Sequence, residues 1–113
     1  MSQCIVIVQF DLPKRTLEQA IAGGQASAPT YRGLADKGLI SKHYLNGDVG
    51  TGGVYLWESR EAAQAWYTDE LIESLTERFG VRPHLTWYDT HVVVDNLNGE
   101  TRVDGTSVAE AAE

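Results

Sequence analysis

The first apolar run, QCIVIVQFDL from Gln3 to Leu12, is dense in β-branched residues and stops at Pro13. A short run of this kind, bounded by proline, predicts a buried central strand. Alternation puts Cys4, Val6, Val8 and Phe10 on one face and Ile5, Ile7, Gln9 and Asp11 on the other. The second face turns polar toward its end, which suits the wall of a cavity. From about Lys14 the spacing becomes helical, with Leu17, Ala20 and Ile21 in phase. Gly23-Gly24 weakens that helix by about 1 kcal/mol per glycine relative to alanine. Ser27 then suits the cap of a second short helix with Pro29 in its first turn. Lys37 and Gly38 mark a helix end.

The stretch GLISKHYLNGDVGTGGVYLWE, residues 38–58, predicts a hairpin with arms Leu39–Asn46 and Gly52–Glu58 around a glycine-rich turn. A turn centred near Gly50 pairs Lys42 with Trp57 and Tyr44 with Tyr55, leaving Leu45, Val54 and Leu56 on the opposite, apolar face. Ser59 is a good N-cap, Ala62, Ala65 and Trp66 form one helical face, and Thr68 restarts the helix. Leu71, Ile72, Leu75 and Phe79 continue the stripe until Gly80 stops it. Val81 to Val94 supplies the last strand or pair of strands. Val81, Pro83, Leu85 and Trp87 fall on one face, and Arg82, His84, Thr86 and Tyr88 on the other.

This order predicts an α+β fold on the ferredoxin-like β-α-β-β-α-β plan, with two helices on one face of a four-stranded antiparallel sheet. The open face is then expected to carry Ile5, Ile7, Gln9, Ile40, Lys42, Tyr44, Tyr55, Trp57, His84, Thr86 and Tyr88. Such a face is too aromatic to sit in water. A second copy packed against it would make a homodimeric α/β barrel, with a pocket between each sheet and partner elements.

Length and charge narrow the picture. The chain has 113 residues, 42% hydrophobic, and a formal charge of −7. That size predicts one domain, residues 1–94, followed by an arm and a flexible tail over residues 95–113. The acidity argues against nucleic acid or an anionic membrane as partner. The one cysteine, Cys4, reads as a small apolar strand residue and suits a reducing, cytoplasmic setting. No signal peptide is expected, nor any stretch near the ~20 apolar residues of a membrane span.

Several kinds of chemistry have no motif here. There is no phosphate loop and no nucleophile elbow, and GDVGTGG sits in a hairpin turn, not between a strand and a helix. His84, Asp89 and His91 are the metal candidates. A regular strand turns His84 away from the other two, so no metal site is expected. Nothing in the pattern selects haem.

The run GLISKHYL, then GGVYLWES with an alanine-rich helix after it, then FG and a strand ending VVVDN, resembles the YdhR-like mono-oxygenase family of the dimeric α+β barrel superfamily. The resemblance covers roughly residues 3–97. It implies a homodimer with an enclosed pocket, and chemistry related to that of cofactor-independent oxygenases acting on polycyclic phenols. Such chemistry needs a base to take a phenol or enol proton, an aromatic slot, and stabilised negative charge. His84 is the candidate base and Lys42 the candidate partner of the oxyanion. Tyr44, Tyr55 and Trp57 are candidates to hold the ring, and Gln9 and Tyr88 to bind substrate oxygens. Each has a structural alternative: Lys42 covering the rings with its stem, the aromatics forming dimer core, His84 bonding across the interface. A cyclase or isomerase on the same scaffold, or a non-catalytic small-molecule carrier, is the competing function.

Overall fold

The computed structural model describes residues 2–109. In chain order these form β1 (Gln3–Phe10), α1 (Leu17–Arg32), a 3-10 turn (Ala35–Lys37), β2 (Leu39–Gly47), β3 (Gly50–Trp57), α2 (Arg60–Trp66), α3 (Asp69–Phe79) and β4 (His84–Thr90). Three further strands follow: β5 (Val92–Asp95), β6 (Glu100–Val103) and β7 (Thr106–Val108). The main sheet has four strands in the order β2-β3-β1-β4, every neighbouring pair antiparallel. This α+β arrangement is compatible with the ferredoxin-like plan.

Local chemistry accounts for the element ends. Thr16 and Gln19 form a reciprocal capping box at the start of α1. Ser59 accepts from the Ala62 N–H at the start of α2, and Thr68 from the Leu71 N–H at the start of α3. Gly80 closes α3 in the left-handed conformation.

Two elements differ from the sequence reading. Residues 17–32 form one helix, not two: α1 starts at Leu17 and runs through Gly23, Gly24 and Pro29. Pro29 therefore lies inside the helix, where it has no N–H for the carbonyl four residues earlier. The arm beyond Asp95 is not simply extended. Its strands pair with β5 as a three-stranded antiparallel sheet, β5-β6-β7. Arg102 clamps this sheet through Asp95 at 2.9 Å and Glu100 at 2.6 Å. The flexible tail expected at the end falls partly on residues 110–113, outside the described residues.

The register of β1 against β3 decides what lies under the helices. Cys4 stands opposite Trp57 and Val6 opposite Tyr55. Cys4, Val6, Val8, Phe10, Tyr55 and Trp57 are all buried in one core, with Leu85 and Trp87 of β4 packed against it. Trp57 and Val6 are among its fully buried side chains. Burying a side chain of this size contributes about 1.5–3 kcal/mol, so this is the face that holds the helices.

The aromatic arm of the hairpin therefore faces the helices, not the open side. Ile5, Ile7, Val54 and Leu56 occupy the opposite face, only partly buried. The hairpin register also differs from the sequence reading: Lys42 pairs with Tyr55, and Tyr44 with Gly53. The cause is the turn: Gly47 pairs with Gly50, so Asp48 and Val49 alone form the loop, and a bulge between Leu39 and Ser41 shifts only the far end of the hairpin.

Candidate functional site

The predicted site residues fall into two groups. Lys42, Tyr44, Tyr55 and Trp57 share a face, as the alternation requires, and that face looks toward the helices. Gln9, His84 and Tyr88 lie on the other side of the sheet. Gln9 pairs with His84, and Tyr88 stands opposite Ile5. A single site holding all seven residues within one chain is excluded by this geometry. The physical cause is that β1 is apolar on both faces, so alternation within β3 could not say which of its faces the helices cover.

Lys42, Tyr44 and Tyr55 of the helix-side group border a cavity of about 780 Å³. It lies between α1 and the sheet, and the tip of α3 contributes Leu75, Arg78 and Phe79. It exists because α1 does not pack tightly. None of its residues is buried, and Leu17 and Ile21 remain 75% and 51% exposed. Trp57 is not in the cavity wall. It is sealed in the core, donating its indole N–H to the Tyr67 hydroxyl at 3.3 Å.

Glycines open the cavity floor. Gly52 has φ +151°, and a Cβ there would collide with the carbonyl of Val8. A Cβ on Gly53 would come within 2.9 Å of Lys42 Cε and 3.1 Å of the Tyr55 ring. The Lys42 stem thus runs over bare backbone and carries its amine inward. On the roof, Gly24 brings α1 against the Tyr44 ring, where an added Cβ would sit at 3.6 Å.

The Lys42 amine ends inside a cage of tyrosines. Nζ is 3.4 Å from the Tyr31 ring centroid, 4.0 Å from that of Tyr44 and 4.7 Å from that of Tyr55. Tyr31 meets both other rings edge-on, at 6.3 Å to Tyr44 and 5.6 Å to Tyr55. The Tyr44 hydroxyl is held by Ser27 of α1 at 2.6 Å. Lys42 makes no ion pair among the described residues.

Burial lowers the Lys42 amine from its ordinary value to about 7. The ring faces oppose part of that shift, since a half-buried cation gains about 0.5–2 kcal/mol from an aromatic face. Both amine and ammonium are therefore accessible near neutral pH. The neighbouring Tyr55 and Tyr67 hydroxyls are pushed up, chiefly by burial, and stay protonated.

The open-side group makes no comparable site. Gln9 donates to the Val49 carbonyl at 3.2 Å and so braces the hairpin turn. His84 and Tyr88 face outward, Tyr88 at 52% exposure. The metal candidates also separate. Asp89 bonds Arg60, and His91 bonds Ser2 and Asp104. No three His, Cys, Asp or Glu side chains converge among the described residues.

Sequence reasoning missed Tyr31 and Ser27. Both lie on the part of α1 beyond Gly23-Gly24, which has no large aliphatic residue to mark an inner face, and only their contacts with β2 reveal them.

No family model matches the chain, and no curated protein is significantly similar to it. What the fold and site define is an α+β protein with a tyrosine-lined chamber and one caged lysine. No helix among the described residues is long and apolar enough to cross a membrane.

Proposed function

We propose that the chamber under α1 binds a small hydrophobic phenol or enol, and that Lys42 takes its acidic proton. The observation that carries this reading is the Lys42 amine, caged by three tyrosine rings on the chamber wall and lowered to about 7. A base poised near the working pH is what proton abstraction needs. The ammonium so formed pairs with the oxyanion in a partly dry site, where the attraction is strong. The rings and the aliphatic lining give an aromatic ligand an apolar surface to pack against beside the amine. On this reading the base role passes from His84 to Lys42, because His84 does not border the chamber.

The reaction we favour is mono-oxygenation without flavin or metal, in line with the family resemblance. An anthrone-type methylene becomes a carbonyl: it loses two hydrogens and gains one atom of dioxygen, and the other atom leaves as water. The substrate supplies all the electrons, so no external reductant enters.

The proposal includes a homodimer. Ile5, Ile7, Val54 and Leu56 on the open face, with Tyr88 at 52% exposure, form an apolar layer that a second copy would cover, closing a barrel. The cytoplasm is the proposed location, on the strength of one buried free thiol.

Oxygen uptake with an anthrone or a quinol tests the reaction. The wild-type protein should consume dioxygen, and Lys42→Met should lower the rate about 100-fold or more, the usual cost of losing a general base. Turnover under strict anaerobiosis would make the protein an isomerase or cyclase instead. Tight binding with no turnover in either atmosphere would make it a carrier.

A further inference from the structure

The chamber carries a charge pattern that extends beyond the caged lysine. The chain as a whole has a net charge of −7, yet no Asp or Glu lines the chamber among the described residues. Its lining Lys and Arg residues are Lys42 inside, with the two permanent cations Arg15 and Arg78. Arg15 and Arg78 are exposed, and neither guanidinium makes an ion pair among the described residues.

Arg15 is also held in place. Its backbone N–H donates to Asn46 Oδ1 at 2.8 Å, and Asn46 Nδ2 donates back to the Arg15 carbonyl at 3.0 Å. This pair of hydrogen bonds to the hairpin fixes the residue before α1 begins. Its guanidinium then lies over the bare backbone of Gly23, where a Cβ would fall 2.6 Å from Nη1. A planar fork of donors, anchored at its root and free of carboxylate partners, is suited to grip a carboxylate.

We infer that the ligand of this chamber is an aromatic carboxylic acid. Its ring lies among the tyrosines near Lys42, and its carboxylate meets Arg15, with Arg78 adding to the field. The inference rests on the proposed function for the position of the ring, and adds the second charge on the ligand. It explains why an acidic protein keeps this chamber free of acids: a carboxylate on the wall would neutralise the arginines or repel the ligand.

Calorimetry at low salt with two probes, a hydroxynaphthoic acid and the matching naphthol, tests it. The wild-type protein should bind the acid about tenfold or more tighter than the naphthol, the scale of one charge-assisted contact. The double variant Arg15→Gln/Arg78→Gln should lose that preference while binding naphthol as before, which also shows that it folds. Equal wild-type affinity for the two probes would overturn the inference and leave the chamber reading standing. A preference that survives in the double variant would also overturn it, by assigning the carboxylate to Lys42. Failure of both probes to bind wild-type protein would overturn the chamber reading and this inference together.

Discussion

Lys42 concentrates a conflict between two forces. Its stem gains from lying on the Tyr55 side of the sheet, but its charge loses water there. Because the folded value is lowered to about 7 and the unfolded value is near the usual 10.5, folding must expel a proton between those limits. The unfolded chain binds more protons in that window, so this residue makes stability rise with pH above about 7. Below it, the full cost of the buried ammonium is present. Lys42→Met keeps the apolar stem and removes the charge. It should therefore be more stable than wild type at pH 6, by about 1–2 kcal/mol once ring contacts and residual solvent are allowed for. The gap should narrow by pH 9.5. Urea denaturation of both proteins at the two pH values measures it, and a gap independent of pH would show that the amine is not desolvated.

At the scale of elements, α1 is the weak member. It buries none of its residues, holds two adjacent glycines and has a proline in its interior. A Cβ at Gly24 meets the Tyr44 ring at ordinary contact distance, 3.6 Å, so alanine fits without displacement. Gly24→Ala should stabilise the protein by about 0.5–1 kcal/mol through helix propensity and a less flexible unfolded chain. It should also slow hydrogen exchange along α1. A destabilised variant would mean that the helix needs closer approach to Tyr44 than this structure has.

Sequence legibility follows the same division between strong and weak elements. The caps at Ser59 and Thr68, the stop at Gly80 and the split of β4 into Leu85/Trp87 and His84/Thr86/Tyr88 were readable, because cap chemistry and alternation are local. The sharing of one face by Lys42, Tyr44, Tyr55 and Trp57 was readable too. The side of the sheet they occupy was not. Ile5, Ile7, Val54 and Leu56 are as apolar as the true core, and only the pairing of Val6 with Tyr55 breaks the tie. Tyr31 stayed hidden because the in-phase Leu17 and Ile21 of its helix stop short of it and are themselves exposed.

For the whole molecule, that side assignment separates two properties that the sequence reading joined. A chamber between copies would exist only in a dimer. A chamber between α1 and the sheet belongs to one chain, while the aliphatic layer of Ile5, Ile7, Val54 and Leu56 is left as the surface to be covered. Leu56 lies on this layer, paired with Ile5, and its side chain points away from the chamber. Leu56→Lys should therefore convert a two-chain particle into a monomer, since a charge on an apolar interface costs several kcal/mol when buried unpaired. Naphthol binding should persist in that monomer with little change. Sedimentation velocity and calorimetry on the same sample decide the matter. A wild-type monomer would remove the barrel, whereas loss of naphthol binding on dissociation would place partner residues in the chamber wall. Covering this layer matters for stability as well as shape, because a chain of this length buries only a modest core of its own.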